Sequence, residues 1–122
     1  MIADLTADFP WGVLLMSDAD STEQIPEWTS LDEMVASAEF ALVVRVRHAD
    51  EGSVSVRALE ARAGAIGEPV FDGVLQVPSG TLRISDAVGD AAVDVGVSVS
   101  PVRLRLFADE RSEATSIDVV IG

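Results

Sequence analysis

The chain has 122 residues, with no cysteine, no lysine and no tyrosine, and all eight of its basic residues are arginine. Each absence removes a chemistry. Without cysteine there is no thiol nucleophile, no dithiol redox pair and no thiolate zinc site. Without lysine there is neither a Schiff-base amine nor a phosphate-loop lysine. Long apolar runs are missing too: the longest, residues 13–16 and 40–44, fall far short of the roughly 18 residues of a membrane span. The first ten residues carry two Asp and no positive charge, unlike the basic start of a secretory signal. These features together predict a cytoplasmic protein with no membrane association. Twenty-one acids against eight Arg give a formal charge of −13, which disfavours binding to nucleic acid or anionic lipid. Exclusive use of Arg beside abundant Ala, Val and Gly fits a GC-rich genome; a salt-adapted proteome is a second reading of the same acidity.

The length suits a single domain spanning residues 1–122, long enough to bury roughly two-thirds of its unfolded surface without a disulfide or metal staple. Charge is uneven along it. Residues 1–44 hold nine acids and no base, whereas residues 45–122 hold twelve acids and eight Arg, a net of −4.

Period-two alternation dominates the rest. Val93, Val95, Val97 and Val99 alternate with Asp94, Gly96 and Ser98; Val102, Leu104 and Leu106 alternate with Arg103 and Arg105. Similar patterns run through Leu42, Val44 and Val46, through Val54 and Val56, through Leu82 and Ile84, and through Ile117, Val119 and Ile121. Alternation of this kind marks half-buried strands, and eighteen Val agree with it because β-branched side chains suit a pleated surface. Strands are expected near 11–17, 41–48, 53–60, 70–77, 81–86, 91–99, 102–108 and 117–121. Residues 49–52 read as a hairpin turn, Pro78-Ser79-Gly80 as a tight turn, and Ser100-Pro101 as a break between strands. Ser30 and Glu33 fit a capping box, predicting a short helix near 31–37. The expected fold is all-β, an antiparallel β-sandwich of about eight strands with one short helix, and a partly open barrel is the competing architecture.

Candidate sites are few. His48 ends a strand beside an acidic turn, where it is either a general base with Asp50 or Asp86 or a partly solvated strand-end histidine. No Gly-x-Ser-x-Gly elbow accompanies it. Asp18, Asp20 and Glu23 resemble the start of a calcium loop but lack its central Gly and late Glu. Asp86, Asp90 and Asp94 could gather a hard cation or simply be solvated. No metal or cofactor is expected. Arg45, Arg47, Arg57, Arg83, Arg103 and Arg105 share the parity opposite the apolar stripe, so they form either an anion-gripping face or cross-strand pairs with Asp94, Asp118, Glu39 or Glu60. Trp11, following Pro10 at a strand start, is assigned to the core. Trp28 stands among Glu23, Glu27, Asp32 and Glu33, as a packing staple or as an exposed anchor of the kind enriched at interfaces.

Residues 71–84, with their Pro78-Ser79-Gly80 turn, followed by Pro101-Val102-Arg103-Leu104-Arg105-Leu106, resemble the C-terminal half of small bacterial all-β proteins similar to the competence protein J nuclease inhibitors. The resemblance covers about 50 residues of turn and strand chemistry. The chain departs from that pattern at Ser100-Pro101, where a Pro-Gly and an aromatic strand are expected, and in having no Tyr; no functional residue carries over. What the resemblance implies is a non-catalytic protein that occupies a basic nuclease surface.

The reading that joins these observations is a small non-catalytic acidic binding protein, inhibitor- or immunity-like, that engages a basic protein through its N-terminal third. The residues expected at that surface are Asp18, Asp20, Glu23, Glu27, Trp28, Asp32 and Glu33. Two alternatives stand beside it: a small-ligand-binding protein or enzyme using an inter-sheet cleft near His48, and a structural homo-oligomer.

Overall fold

Strand alternation translates directly into two sheets. The structure is a computed structural model that describes residues 2–21, 28, 33–60, 64–98, 100–111 and 113–122. Ten strands are present among them: β1 Ala3–Ala7, β2 Val13–Asp18, β3 Val35–Ser37, β4 Ala41–Arg45, β5 Val54–Leu59, β6 Glu68–Leu75, β7 Thr81–Asp86, β8 Ala92–Gly96, β9 Val102–Ala108 and β10 Ser116–Ile121. Sheet I has the order β1-β5-β10-β9-β6 and sheet II the order β3-β4-β2-β7-β8. All neighbours are antiparallel except β5 and β10, which run parallel. The result is an all-β sandwich, and the two sheets do not close into a barrel.

The inner faces are the residues that the alternation marks. Val56, Ile117, Val119, Leu104 and Leu106 from sheet I meet Leu14, Met16, Leu42, Val44, Leu82 and Ile84 from sheet II, each at most 1 % exposed. Burial of such side chains stabilises by about 1.5–3 kcal/mol each. Phe9, fully buried, joins this core from the β1–β2 connection.

A second, smaller core lies on the outer face of sheet I. Leu59, Phe107 and Val120 are buried there with Ala65 packed against them. The connection carrying residues 64–67 lies over this face: the Ile66 N–H donates to Asp118 Oδ2 at 2.8 Å, and Arg57 Nε and Nη2 donate to the same carboxylate at 2.9 and 2.6 Å. Gly67, at φ +103°, makes the close approach possible, since a Cβ there would stand 2.5 Å from the Ala108 carbonyl oxygen.

Several connections cross between the sheets, and two local expectations fail, the hairpin at residues 49–52 and the helix near 31–37. Residues 49–52 do not close a hairpin, because β4 belongs to sheet II and β5 to sheet I. They form a corner containing the 3-10 turn Ala49–Glu51. Pro78-Ser79-Gly80 also crosses between sheets, joining β6 to β7. Ser100-Pro101, whose peptide is cis, likewise carries the chain from β8 in sheet II to β9 in sheet I. The helix expected near 31–37 is replaced over Val35–Ser37 by β3, paired with β4; Ser30 and Asp32 lie outside the described residues. Cross-strand pairing with Val43 and Val44 overrides the local capping signal.

Candidate functional site

The inward parity of β2 and β7 ends at each strand's last residue on a carboxylate. Asp18 follows Leu14 and Met16, and Asp86 follows Leu82 and Ile84; both carboxylates are 2 % exposed. Asp18 Oδ1 accepts from the Asp20 N–H at 2.8 Å and Oδ2 from the Ser79 N–H at 2.9 Å. Burial pushes its pKa up, but these backbone donors outweigh burial and hold it below the ordinary 3.8. Asp86 accepts from the N–H groups of Val88, Gly89, Asp90 and Ala91 at 2.5–3.2 Å. The two are organisers of loops at opposite ends of the sandwich. Asp86, Asp90 and Asp94 therefore do not converge as ligands: Asp86 is filled with backbone donors, while Asp94 is bound by Arg83 Nε at 2.9 Å.

The arginines likewise divide. Arg57 pairs with Asp118, Arg83 with Asp94 and Arg103 with Asp72. Hydrogen bonds from the guanidinium groups come first among the causes that hold Asp72 and Asp94 below the usual carboxylate range. Since Arg57 and Arg103 lie on sheet I and Arg83 and Arg45 on sheet II, there is no single arginine face. A shallow cavity of about 220 Å³ on sheet I is lined by Pro69, Phe71, Asp72, Arg103, Arg105 and Phe107.

His48 is a local cap. Its Nδ1 accepts from the Asp50 N–H at 3.1 Å, and the Asp50 carboxylate stands 3.6 Å from the same nitrogen. Asp86, its other suggested partner, is occupied by its own loop. The imidazole thus shapes the corner that contains Ala49–Glu51.

Trp11 overturns its assignment to the core. Its side chain is 68 % exposed, and its backbone is left-handed at φ +58°. The chain on either side of it is fixed. Phe9 is buried, and its carbonyl accepts from the N–H groups of Gly12 at 2.9 Å and Ala49 at 3.1 Å. Gly12, at φ +67°, accepts from the Val46 N–H, and a Cβ on it would lie 2.6 Å from the Val46 carbonyl oxygen. Pro10 fixes the remaining flank. The Pro10-Trp11-Gly12 triplet was the available signal, since Pro and Gly on either side of a residue mark a turn rather than the start of a strand.

Strand register shows what else shares the Trp11 end. Val13 opposes Arg45, Leu14 opposes Asp86, Ala7 opposes Val54, and Ala108 opposes Ile117. The β1–β2, β4–β5, β7–β8 and β9–β10 connections consequently emerge together, with the Arg47 N–H bonded to the Ala114 carbonyl between two of them. These loops expose Asp8, Asp50, Glu51, Asp90, Glu110 and Glu113. None of the six pairs with an arginine among the described residues. The arginines at this end pair with none of these acids among the described residues: Arg45 stacks on the Trp28 ring at 4.6 Å, Arg111 donates to the Pro69 carbonyl, and the Arg47 Nε is buried without a hydrogen-bond partner.

Among the described residues, the acids that are neighbours in the N-terminal third are dispersed by the fold. Asp18 is buried and drops out of any surface. Asp20 is exposed at the end opposite Trp11, beside the start of β7. Glu33 and Trp28 belong to the Trp11 end, since both precede β3, whose Val35 opposes Val44 near the finish of β4. Trp28 is half-buried and held: its indole N–H donates to the Met34 carbonyl at 2.9 Å while Arg45 covers its face. Glu23, Glu27 and Asp32 lie outside the described residues. Among the described residues, the exposed acidic end is therefore built mostly from positions far apart in the chain.

No protein-family model matches the sequence, and no curated protein matches it at a significant level. In fold, however, the resemblance read in the C-terminal half extends to nearly the whole chain. The structure is similar to that of ComJ from Bacillus subtilis, an inhibitor of the DNA degrading activity of NucA, with a TM-score of 0.76 at 13 % identity over 98 % of this chain and 93 % of that one.

Proposed function

We propose that the protein is a non-catalytic, inhibitor-like binding protein that engages a basic protein surface, a DNA-degrading nuclease being the class its fold relative points to. The observation that carries this reading is the likeness to ComJ over 98 % of the chain. Its physical support is the loop end that exposes Asp8, Asp50, Glu51, Asp90, Glu110 and Glu113 without arginine partners among the described residues. A nuclease surface that grips DNA phosphates is cationic, so an acidic end would compete for the same groups. Opposite charge raises the encounter rate and disfavours other acidic partners. The engagement is thus moved from the N-terminal third as a block to this loop end, with Glu33 and Trp28 at its margin. A non-enzymatic role agrees with His48, whose Nδ1 is used in capping a turn.

The test is titration of the chain into a DNA-degradation reaction run by NucA at low and at high salt. Dose-dependent inhibition that weakens with salt is expected. Complete degradation of DNA at a molar excess of the chain in low salt would contradict the proposal.

A further inference from the structure

Trp11 is a costly residue at its position in two respects. Its left-handed φ of +58° is one that Gly or Asn adopts more readily, and its indole is 68 % exposed rather than packed. The fold nevertheless holds the loop rigidly. Phe9 is sealed in the core, Gly12 is pressed on the end of β4, and three backbone hydrogen bonds of 2.9–3.1 Å tie the turn to Val46, Ala49 and itself. A turn clamped in this way has little backbone freedom left to lose on binding, so seating the indole costs only the ordering of its own side chain. Exposed acids flank it: Asp8 precedes it in the same loop, and Asp50 and Glu51 follow Ala49, whose N–H bonds to Phe9.

We propose that Trp11 is the anchor of this surface, inserting its indole into an apolar crevice of the partner whose rim carries Arg or Lys side chains facing Asp8, Asp50 and Glu51. The inference rests on the basic-partner reading and adds the partner's chemistry: a cationic rim around an indole-sized apolar depression. The two parts act differently. Desolvated indole contact resists salt, whereas the exposed carboxylates act through a field that salt screens.

The experiment uses the full chain and NucA as probe. Trp11→Ala and Trp11→Asn, the latter suited to the left-handed backbone, are compared with a triple variant carrying Asp8→Asn, Asp50→Asn and Glu51→Gln. Both Trp11 variants are expected to raise the inhibitory concentration by about tenfold or more at low and high salt alike, as loss of an interface hot spot does. The triple variant is expected to raise it at low salt and to converge on the parent at high salt. In a Trp28→Phe background, the remaining Trp11 emission is expected to shift to the blue and lose acrylamide quenching when NucA is added. Unchanged inhibition by both Trp11 variants, alongside an impaired triple variant, would overturn the anchor and leave the basic-partner reading standing. Absence of inhibition by the parent would instead remove the reading beneath it. Concentration-dependent dimerisation of the free chain that Trp11→Asn abolishes would overturn the proposal by assigning the indole to a second copy.

Discussion

Replacing Asp18 by Ala gives a sharp test of whether this acid is structural. The substitution leaves two backbone donors, Asp20 N–H and Ser79 N–H, without their acceptor. Hydrogen bonds to a charged group contribute about 1.5–3 kcal/mol each in favourable cases. Because Asp20 and Ser79 are themselves exposed, water can replace part of the loss, and a total of about 2–3 kcal/mol is expected. At about 2.1 cal/mol/K of unfolding entropy per residue, the 122-residue chain loses about 4 °C per kcal/mol. The midpoint should therefore fall by about 8–12 °C in a thermal melt followed by far-UV circular dichroism at neutral pH. The deficit should also depend on pH. The folded carboxylate titrates below its ordinary 3.8, so its stabilisation is complete above that value and is lost as pH falls through the lower folded value. Parent and variant should converge in acid. A gap under about 2 °C at neutral pH, or one that persists unchanged in acid, would refute the assignment.

Three other substitutions probe separate parts of the account. Leu106→Ala, at a fully buried position, should destabilise by about 2–5 kcal/mol in urea unfolding without changing strand content. Gly12→Ala, which places a Cβ 2.6 Å from the Val46 carbonyl oxygen at φ +67°, should cost more than about 1 kcal/mol in the same assay and broaden the Trp11 fluorescence environment. Asp118→Ala, which removes the acceptor shared by Arg57 and the Ile66 N–H, should free residues 64–67 from sheet I and make that connection the first site of limited proteolysis. Equal cleavage of parent and variant there would show that Asp118 does not hold the cover.

The strands were legible because their outer and inner residues differ in polarity. Val102, Leu104 and Leu106 against Arg103 and Arg105 have one physical solution, a half-buried strand. Sheet membership was not legible. The corner at residues 49–52 and the turn at 78–80 have the same local chemistry whether the next strand pairs with the last or crosses to the other sheet. β1 escaped because Asp4 and Thr6 face outward on an edge strand with only Leu5 and small alanines inward. Among the described residues, the exposed acids are not grouped as they are in the sequence, for a related reason. Strand-end parity turned Asp18 inward, while loops carrying Asp8, Asp50 and Glu113, which stand 42 to 105 positions apart, were brought to one end. The arginine pairing, by contrast, was half visible: Asp94 and Asp118 were among the expected partners, and Asp72 was not.

The most direct test of the account is a pair of charge reversals compared by calorimetric titration against NucA. One variant reverses Asp8, Asp50, Glu51 and Glu110 at the Trp11 end to Arg; the other reverses Asp20, Glu39 and Glu60, exposed at the opposite end. Binding should be abolished by the first and retained by the second. Retention by the first with loss by the second would contradict the placement of the partner surface.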